Sequence, residues 1–386
     1  MPDSIYMDCA ATTPVREEVR LALVEATERV YGNPSSIHTT GQEAKRVLEE
    51  SREQIAEFIG ARPGELIFTS GGTESDNLAV SGAVLANDDR GSHIVTGAIE
   101  HHAVLNCCRA LEEEGYELTV VGAGADGLVD PDEVERAIRP DTVLVSIMTA
   151  NNETGALQPV AEIGAIAKER GVLFHTDAVQ ALGKVAIDVD AMNADLVSLS
   201  AHKIYGPKGV GGLFVRKGTM LKPLAYGGHH ERALRPGTEN VPGIAAFAQA
   251  AQLAVSEMAA SVPRVAALRD RLWEGISTSI PSATRNGSVY RCLPNILNVS
   301  FAAIDGEALL LNLDLLGIAM STGSACTAGA AGPSHVLEAM GIEPRLAQSS
   351  VRFSLGRDNT AAEVERVLAV LPDIVKRLGD VSAIRL

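Results

Sequence analysis

No apolar run in the chain approaches the roughly 18 residues that a membrane span requires. The N-terminus has no basic segment followed by an apolar stretch. No membrane association is therefore expected, and the expected compartment is the cytoplasm. Positive charge is also scarce: 33 Lys and Arg stand against 49 Asp and Glu, a net charge of −16. That balance argues against a nucleic-acid footprint and fits a protein that handles a small molecule or a basic partner surface. Cysteine is sparse, with five residues (Cys9, Cys107, Cys108, Cys292 and Cys326) and no C-x-x-C pair. An odd count in a chain this long is no disulfide framework. His101, His102, Cys107 and Cys108 resemble metal ligands, but they fall on one helical segment, where adjacent residues do not face a common site. Internal repeats and low-complexity segments are lacking as well.

What is present is enough apolar residue, 46% of 386, to bury a large core, and the length suggests two domains. From about residue 42 to 216, helical patterns alternate with short β-rich runs. Strands are expected at 65–69, 93–96, 118–121, 142–148, 172–176, 195–199 and 212–215. Helices are expected at 44–59, 74–85, 102–114, 132–138 and 160–170. Such alternation implies an α/β fold with a mostly parallel sheet flanked by helices, and ligands there bind beyond the carboxyl ends of strands. Beyond about residue 240 a smaller α+β region is expected. A helix over 241–280 should be kinked or split by Pro263. Strands at 295–300, 318–321 and 351–354 follow, and a last helix opens with the capping box Thr360 to Glu363.

Candidate chemistry gathers at the strand ends. The run Gly122-Ala-Gly124-Ala-Asp-Gly127 matches G-x-G-x-x-G, but the next helix starts only after Asp130-Pro131, so it reads as a turn. Lys203 follows a core strand and precedes a loop too rich in Gly to be a helix. Alone it is either a lysine snorkelling from a turn or an amine nucleophile whose pKa burial lowers. Thr69-Ser-Gly-Gly-Thr-Glu-Ser-Asp76, between a strand and a helix, is either an anion cradle or a helix start capped by Thr73 with Asp76. Asp177 ends a strand with Gln180 three residues on. Asn152 and Glu153 follow another strand, and His101 opens a helix, where it could stack or transfer protons. An amine nucleophile, a carboxylate for a pyridinium nitrogen and a Gly/Thr phosphate cup are together the parts of a pyridoxal 5'-phosphate site. Cys326 lies among small residues, with Gly323, Gly329 and Gly332 nearby, which points to an exposed functional thiol. The other four cysteines read as small buried hydrophobes.

The chain resembles a cysteine desulfurase of the NifS/IscS type, in the class V (fold-type I) aminotransferase family, nearly from end to end. The resemblance is carried by Asp8-Cys-Ala-Ala-Thr-Thr-Pro14, Gly32-Asn-Pro-Ser-Ser-Ile-His38, Phe68-Thr-Ser-Gly-Gly-Thr-Glu-Ser-Asp-Asn77 and Asn151-Asn-Glu-Thr-Gly155. It continues through His175-Thr-Asp-Ala-Val-Gln180, Ser200-Ala-His-Lys-Ile-Tyr-Gly-Pro-Lys-Gly209 and Arg235-Pro-Gly-Thr-Glu-Asn240. Ser324-Ala-Cys326 and Val351-Arg-Phe-Ser-Leu-Gly-Arg357 complete it. The resemblance implies the aspartate aminotransferase-like fold, with a large cofactor-binding domain at 14–256. Residues 1–13 and 257–386 would form a small domain carrying the Cys326 loop.

By position, Lys203 would carry pyridoxal phosphate covalently, Asp177 would pair with its ring nitrogen, and Gln180 would bond its phenolic oxygen. His101 would stack on the ring and help move protons. Gly72, Thr73, Ser200 and His202 would grip the phosphate, with Thr238 reaching in from a neighbouring subunit of a homodimer. Asn152 and Arg352 would hold the substrate, L-cysteine, with Arg352 on its carboxylate. The Cys326 thiolate would take the substrate sulfur as a persulfide, leaving L-alanine. The sulfur would then pass to an iron–sulfur scaffold or a tRNA-thiolation protein. No resident metal is implied, although Cys326 could transiently ligate a cluster with a scaffold partner. His229 and Pro236 depart from the family pattern near the inter-subunit phosphate contact. The alternatives are a selenocysteine lyase or related class V lyase, which need no persulfide-forming cysteine, and a catalytically silent assembly scaffold.

Overall fold

The computed structural model describes residues 4–322 and 332–383. A seven-stranded sheet forms the centre, in the spatial order Leu66–Thr69, Gly211–Val215, Leu196–Ser200, Leu173–Asp177, Thr142–Ser146, His93–Gly97 and Glu117–Val121. All pairings are parallel except those of Gly211–Val215, which runs antiparallel to both neighbours. Five of these strands are buried at every position, as expected of strands covered on both faces. The crossover helices Gly72–Ala86, His102–Glu113, Pro131–Ala137 and Val160–Glu169 supply that cover. The expected elements are therefore present, displaced by one to a few residues at their ends.

Two smaller sheets lie outside this layer. One is antiparallel, in the order Ser321–Thr322, Ser350–Ser354, Ile296–Phe301 and Ala283–Asn286. The other pairs Ile5–Tyr6 with Ile318–Ala319 in parallel. The expected single strand over 318–321 is thus two short ones in different sheets. A distinct apolar cluster, including Leu272, Leu297, Phe301, Phe353 and Leu371, packs beneath them. The helix Ala361–Ala383 covers it, opened by the expected box: Glu363 Oε2 accepts from the Thr360 N–H, and Thr360 Oγ1 accepts from the Glu363 N–H.

Pro263 neither ends nor splits its helix, which is continuous over Val241–Ser279. Pro263 and Ala259, whose carbonyl it leaves without an intrahelical donor, are both exposed, so water can satisfy that oxygen. The two halves are held by different neighbours. Ile244 to Ala251 face the large core, and Val265 to Ile276 face the smaller one. The run 122–127 is the expected turn, with Gly124 N–H donating to Leu128 O at 2.9 Å and Gly127 N–H to Gly124 O at 2.8 Å.

Candidate active site

Three chain segments meet around Lys203. The strand Leu196–Ser200 ends in a single 3-10 turn, Ala201–Lys203, which places the lysine at the carboxyl edge of the sheet. The chain then reverses sharply through Tyr205, whose φ of 67° is unusual for a bulky residue. Its strain is held by two hydrogen bonds: Tyr205 N–H donates to Thr13 Oγ1 at 2.7 Å, and Arg357 N–H donates to the Tyr205 hydroxyl at 2.7 Å. Lys203 Nζ donates to the carbonyls of Ala10 at 2.7 Å and Ala11 at 2.6 Å. The N-terminal segment 8–13 therefore runs beneath the lysine. His202 Nδ1 lies 3.1 Å from Thr12 Oγ1, and Thr13 Oγ1 donates to the His202 carbonyl at 2.9 Å.

One strand over, Asp177 ends Leu173–Asp177 opposite Ser198 and accepts from the Val179 N–H at 2.8 Å. Burial pushes its carboxyl up to about 6, against the lowering effect of the Val179 N–H and the nearby Lys203 charge. Gln180 Nε2 donates to the Ala10 carbonyl at 2.9 Å, the same oxygen that receives Lys203. Behind Asp177, Asp76 is 1% exposed, and its carboxyl is raised well above the usual range by burial and then by the Asp177 charge. His175 completes this buried layer. Its ring nitrogens contact Ser146 Oγ at 2.8 Å and Ser198 Oγ at 3.0 Å, and burial lowers it to about 3, leaving it neutral.

The cup at the start of Gly72–Ala86 has a geometry of its own. Gly71, not Thr73, caps the helix, and Thr73 and Asp76 are both within it. The capped-start reading of Thr73 with Asp76 therefore fails: Asp76 points into the core, where a desolvated carboxylate could not serve as a surface box. A Cβ on Gly72 would meet Val179 Cγ2 at 2.8 Å and Ser200 Cβ at 3.8 Å, so the cup sits against both the Asp177 turn and the Lys203 strand. Thr73 is exposed at its mouth. Thr238 is exposed too, in the segment that Arg235 ties to Glu74 of the cup helix by a 3.0 Å ion pair.

His101 is the N-cap of His102–Glu113, its Nδ1 accepting from the Ala103 N–H at 3.1 Å. Burial and then the Lys203 charge lower it to about 4, so its ring is neutral near pH 7. His202 is lowered to about 4 by the same two causes in the same order. Arg352 lies on Ser350–Ser354 and is 1% exposed. It donates through Nη1 to the Asn152 carbonyl at 2.8 Å and through Nη2 to Asp8 Oδ1 at 2.9 Å, while its Nε has no hydrogen-bond partner among the described residues. The structure thus gathers Lys203, His202, Asp177, Gln180, Ser200 and Gly72 along one sheet edge, with Asn152 and Arg352 linked beside the same N-terminal segment. Cys326 lies outside the described residues.

Of the further buried groups, Lys184 and Glu100 were not singled out from sequence, while Glu153 was noted only for its place after a strand. Lys184, four residues after Gln180, donates to the carbonyls of Gln180 at 2.9 Å and Lys203 at 3.4 Å, and burial lowers it to about 7. Glu100 accepts from the Met148 N–H at 2.6 Å, and burial raises it. Glu153, also raised by burial, to about 7, accepts from the Ser334 hydroxyl. Their signal was placement just after a strand or beside a site residue, which is weak for a single side chain. Cys9, Cys107 and Cys108 are buried as expected, but Cys292 is half-buried, with Arg269 Nη1 at 3.2 Å and Arg285 Nη2 at 3.5 Å from its sulfur. No group of three or more metal-ligating side chains occurs among the described residues. His229 lines a cavity of about 410 Å³ with Arg52 and Glu231, and Pro236 packs where a Cβ on Gly227 would meet it at 2.9 Å.

A family model for class-V aminotransferases matches residues 5–367, and the chain belongs to that family. Within it, the relatives are cysteine desulfurases. The "Cysteine desulfurase IscS" of Methanosarcina thermophila is 50% identical over 379 residues, covering 98% of this chain and 94% of that one. That of Dictyoglomus turgidum is 47% identical over 382 residues, covering 99% and 97%. A solved structure described as a NifS-like protein superposes with a TM-score of 0.92 at 38% identity, over 97% of this chain and all of that one.

Proposed function

We infer that this chain is a cysteine desulfurase that uses pyridoxal phosphate to remove sulfur from L-cysteine, giving L-alanine and a persulfide on Cys326. The observation that carries the reading is near-full-length similarity to cysteine desulfurases together with Lys203 and Asp177 at the carboxyl edge of the central sheet and Arg352 on the smaller sheet, tied through Asp8 to the N-terminal segment that holds Lys203. The residues suit the cofactor. Ser200 Oγ and Gln180 Oε1 are buried without hydrogen-bond partners among the described residues, and the cup at Gly72 is tight enough that an added Cβ would press on Val179 Cγ2 at 2.8 Å. Unmet buried polar atoms beside a cup formed at a helix N-terminus are what a phosphorylated, hydroxylated ring would satisfy.

Pyridoxal phosphate supplies, when bound, a sink for the charge that develops at the substrate α-carbon. The chain's residues do the rest. Gly72, Thr73, Ser200 and His202 hold the phosphate, with Thr238 supplied by the second copy of a homodimer. Asp177 provides the anion for a protonated ring nitrogen, and Gln180 bonds the phenolic oxygen. Arg352 and Asn152 fix the substrate, whose carboxylate finds the unpartnered Nε of Arg352. Lys203 carries the proton at the α-carbon, and neutral His101 can accept and return a proton nearby. The Cys326 thiolate attacks the substrate sulfur. The Cβ–S bond breaks, alanine leaves with a proton in place of the sulfur, and the sulfur remains on Cys326.

The two-domain division at residues 14–256 and at 1–13 with 257–386 is part of the same reading, supported by the separate apolar cluster under the smaller sheets. Delivery of sulfur to an iron–sulfur scaffold is the preferred destination, because relatives carry the IscS name. No helix among the described residues is long and apolar enough to cross a membrane, which accords with a cytoplasmic setting. The test is stoichiometric. Enzyme loaded with the cofactor and given L-cysteine and a thiol reductant should form alanine and sulfide in equal amounts. Formation of pyruvate and ammonia instead would mark a β-lyase and refute the reading.

A further inference from the structure

Arg352 is a buried cation with one edge half used. Its side chain is 2% exposed, and the Asp8 side chain facing it is 18% exposed. The guanidinium offers flat two-donor edges, and a carboxylate binds such an edge best through both oxygens. Nη1 is taken by the Asn152 carbonyl at 2.8 Å. On the Nε/Nη2 edge, Asp8 Oδ1 reaches Nη2 at 2.9 Å, and Nε has no partner among the described residues. Asp8 therefore neutralises the cation with one contact where two are geometrically available.

We propose that Asp8 is a specificity-determining residue: its carboxylate occupies Arg352 until a substrate carboxylate, binding both Nε and Nη2, displaces it. The inference rests on the reading that Arg352 receives the substrate carboxylate. Without a counter-ion, a cation this buried would be costly. A single-contact anion satisfies it at rest and yields to a ligand that makes two contacts. Because Asp8 is the more exposed partner, it can turn toward water while Arg352 stays in place. Small anions that cannot span both nitrogens gain nothing over Asp8 and are excluded. Asp8 also bridges Ser354, two residues from Arg352, and lies two and three residues before the carbonyls that hold Lys203. The carboxylate site and the reactive amine are thus joined by one short segment.

The test uses the holoenzyme and two amines that lack a reacting sulfur: L-alanine, and ethylamine as its carboxylate-free counterpart. Binding is followed by the change in visible absorbance, not by turnover. Replacing Asp8 with Asn removes the competing charge, so L-alanine should bind roughly tenfold more tightly, the factor that about 1.4 kcal/mol of relieved competition gives, with ethylamine unchanged. Weaker L-alanine binding, or an equal shift for both amines, would overturn the inference and make Asp8 a positioning residue for Arg352. Arg352→Lys separates the two layers. If it does not weaken L-alanine relative to ethylamine, the carboxylate reading of Arg352 fails first, and the Asp8 inference with it. If it does, while Asp8→Asn shows no tightening, only the Asp8 inference fails. Should Asp8→Asn lose too much cofactor for absorbance titration, melting curves of Asp8→Ala decide. Acetate and L-alanine, whose carboxylates can each span Nε and Nη2, should raise its melting temperature more than they raise that of the wild type, and an equal or smaller rise in the variant would overturn the proposal.

Discussion

Lys203 and Gln180 converge on a single oxygen: the Ala10 carbonyl accepts from Lys203 Nζ at 2.7 Å and from Gln180 Nε2 at 2.9 Å. The amine proposed to be reactive and the side chain proposed to bond the cofactor's phenolic oxygen are thereby indexed to the same point of the N-terminal segment. Two side chains 23 positions apart thus share an acceptor that lies 193 and 170 positions before them in the chain, so the amine's resting place is set by the segment beneath it.

Removing that amine should leave the rest of the site intact. Lys203→Ala, incubated with pyridoxal phosphate and then dialysed, should lose its yellow colour, while the wild type keeps it. Alanine formation from cysteine should fall to background in the same preparation. A dialysed variant that remained coloured and active would place the covalent link elsewhere.

The phosphate cup makes a steric prediction. Gly72→Ala places a methyl group 2.8 Å from Val179 Cγ2, closer than ordinary van der Waals contact, so the cup must open or the Asp177 turn must shift. Cofactor affinity should drop about tenfold or more, the range of about 1–3 kcal/mol that overpacking costs. Val179→Ala in the same chain should recover most of it, as measured by absorbance titration. Failure of that second substitution to rescue binding would show that the methyl group acts on something other than Val179.

Glu153 should impose a pH dependence on stability. Burial raises its carboxyl from the usual 4.5 to about 7, so the folded state prefers the protonated form. Stability is then highest below pH 4.5 for this group and falls as pH rises through about 7. The span amounts to about 3 kcal/mol, as an order of magnitude. Glu153→Gln keeps an oxygen for the Ser334 hydroxyl and removes the titration. Urea unfolding of the variant should lose less stability between pH 5 and 8 than the wild type. An equal or steeper loss would mean that Glu153 is ionised in the fold at low pH.

Much of this architecture was legible in the sequence because short β-rich runs alternate regularly with helical patterns. The candidate residues Lys203, Asp177 and Asn152 drew attention for the same reason, since they follow strands, where an α/β sheet puts its ligands. What escaped is of another kind. Pro263 sits in an unbroken helix because its freed carbonyl faces water and both halves are anchored, which local propensity does not encode. The true cap at Gly71 depends on backbone conformation, and the inward turn of Asp76 depends on His175 and Asp177 lying behind it. Asp8, Lys184 and Glu153 matter through partners 344, 19 and 181 residues away, and no local pattern marks such pairings.

The central claim is that Cys326 takes the sulfur. Holoenzyme given L-cysteine without reductant, digested and examined by mass spectrometry, should show one added sulfur atom on the peptide containing Cys326, with alanine released in equal amount. The Cys326→Ala variant should bind the cofactor but form neither. Sulfur found only on another cysteine, or alanine produced at the wild-type rate by Cys326→Ala, would contradict the account.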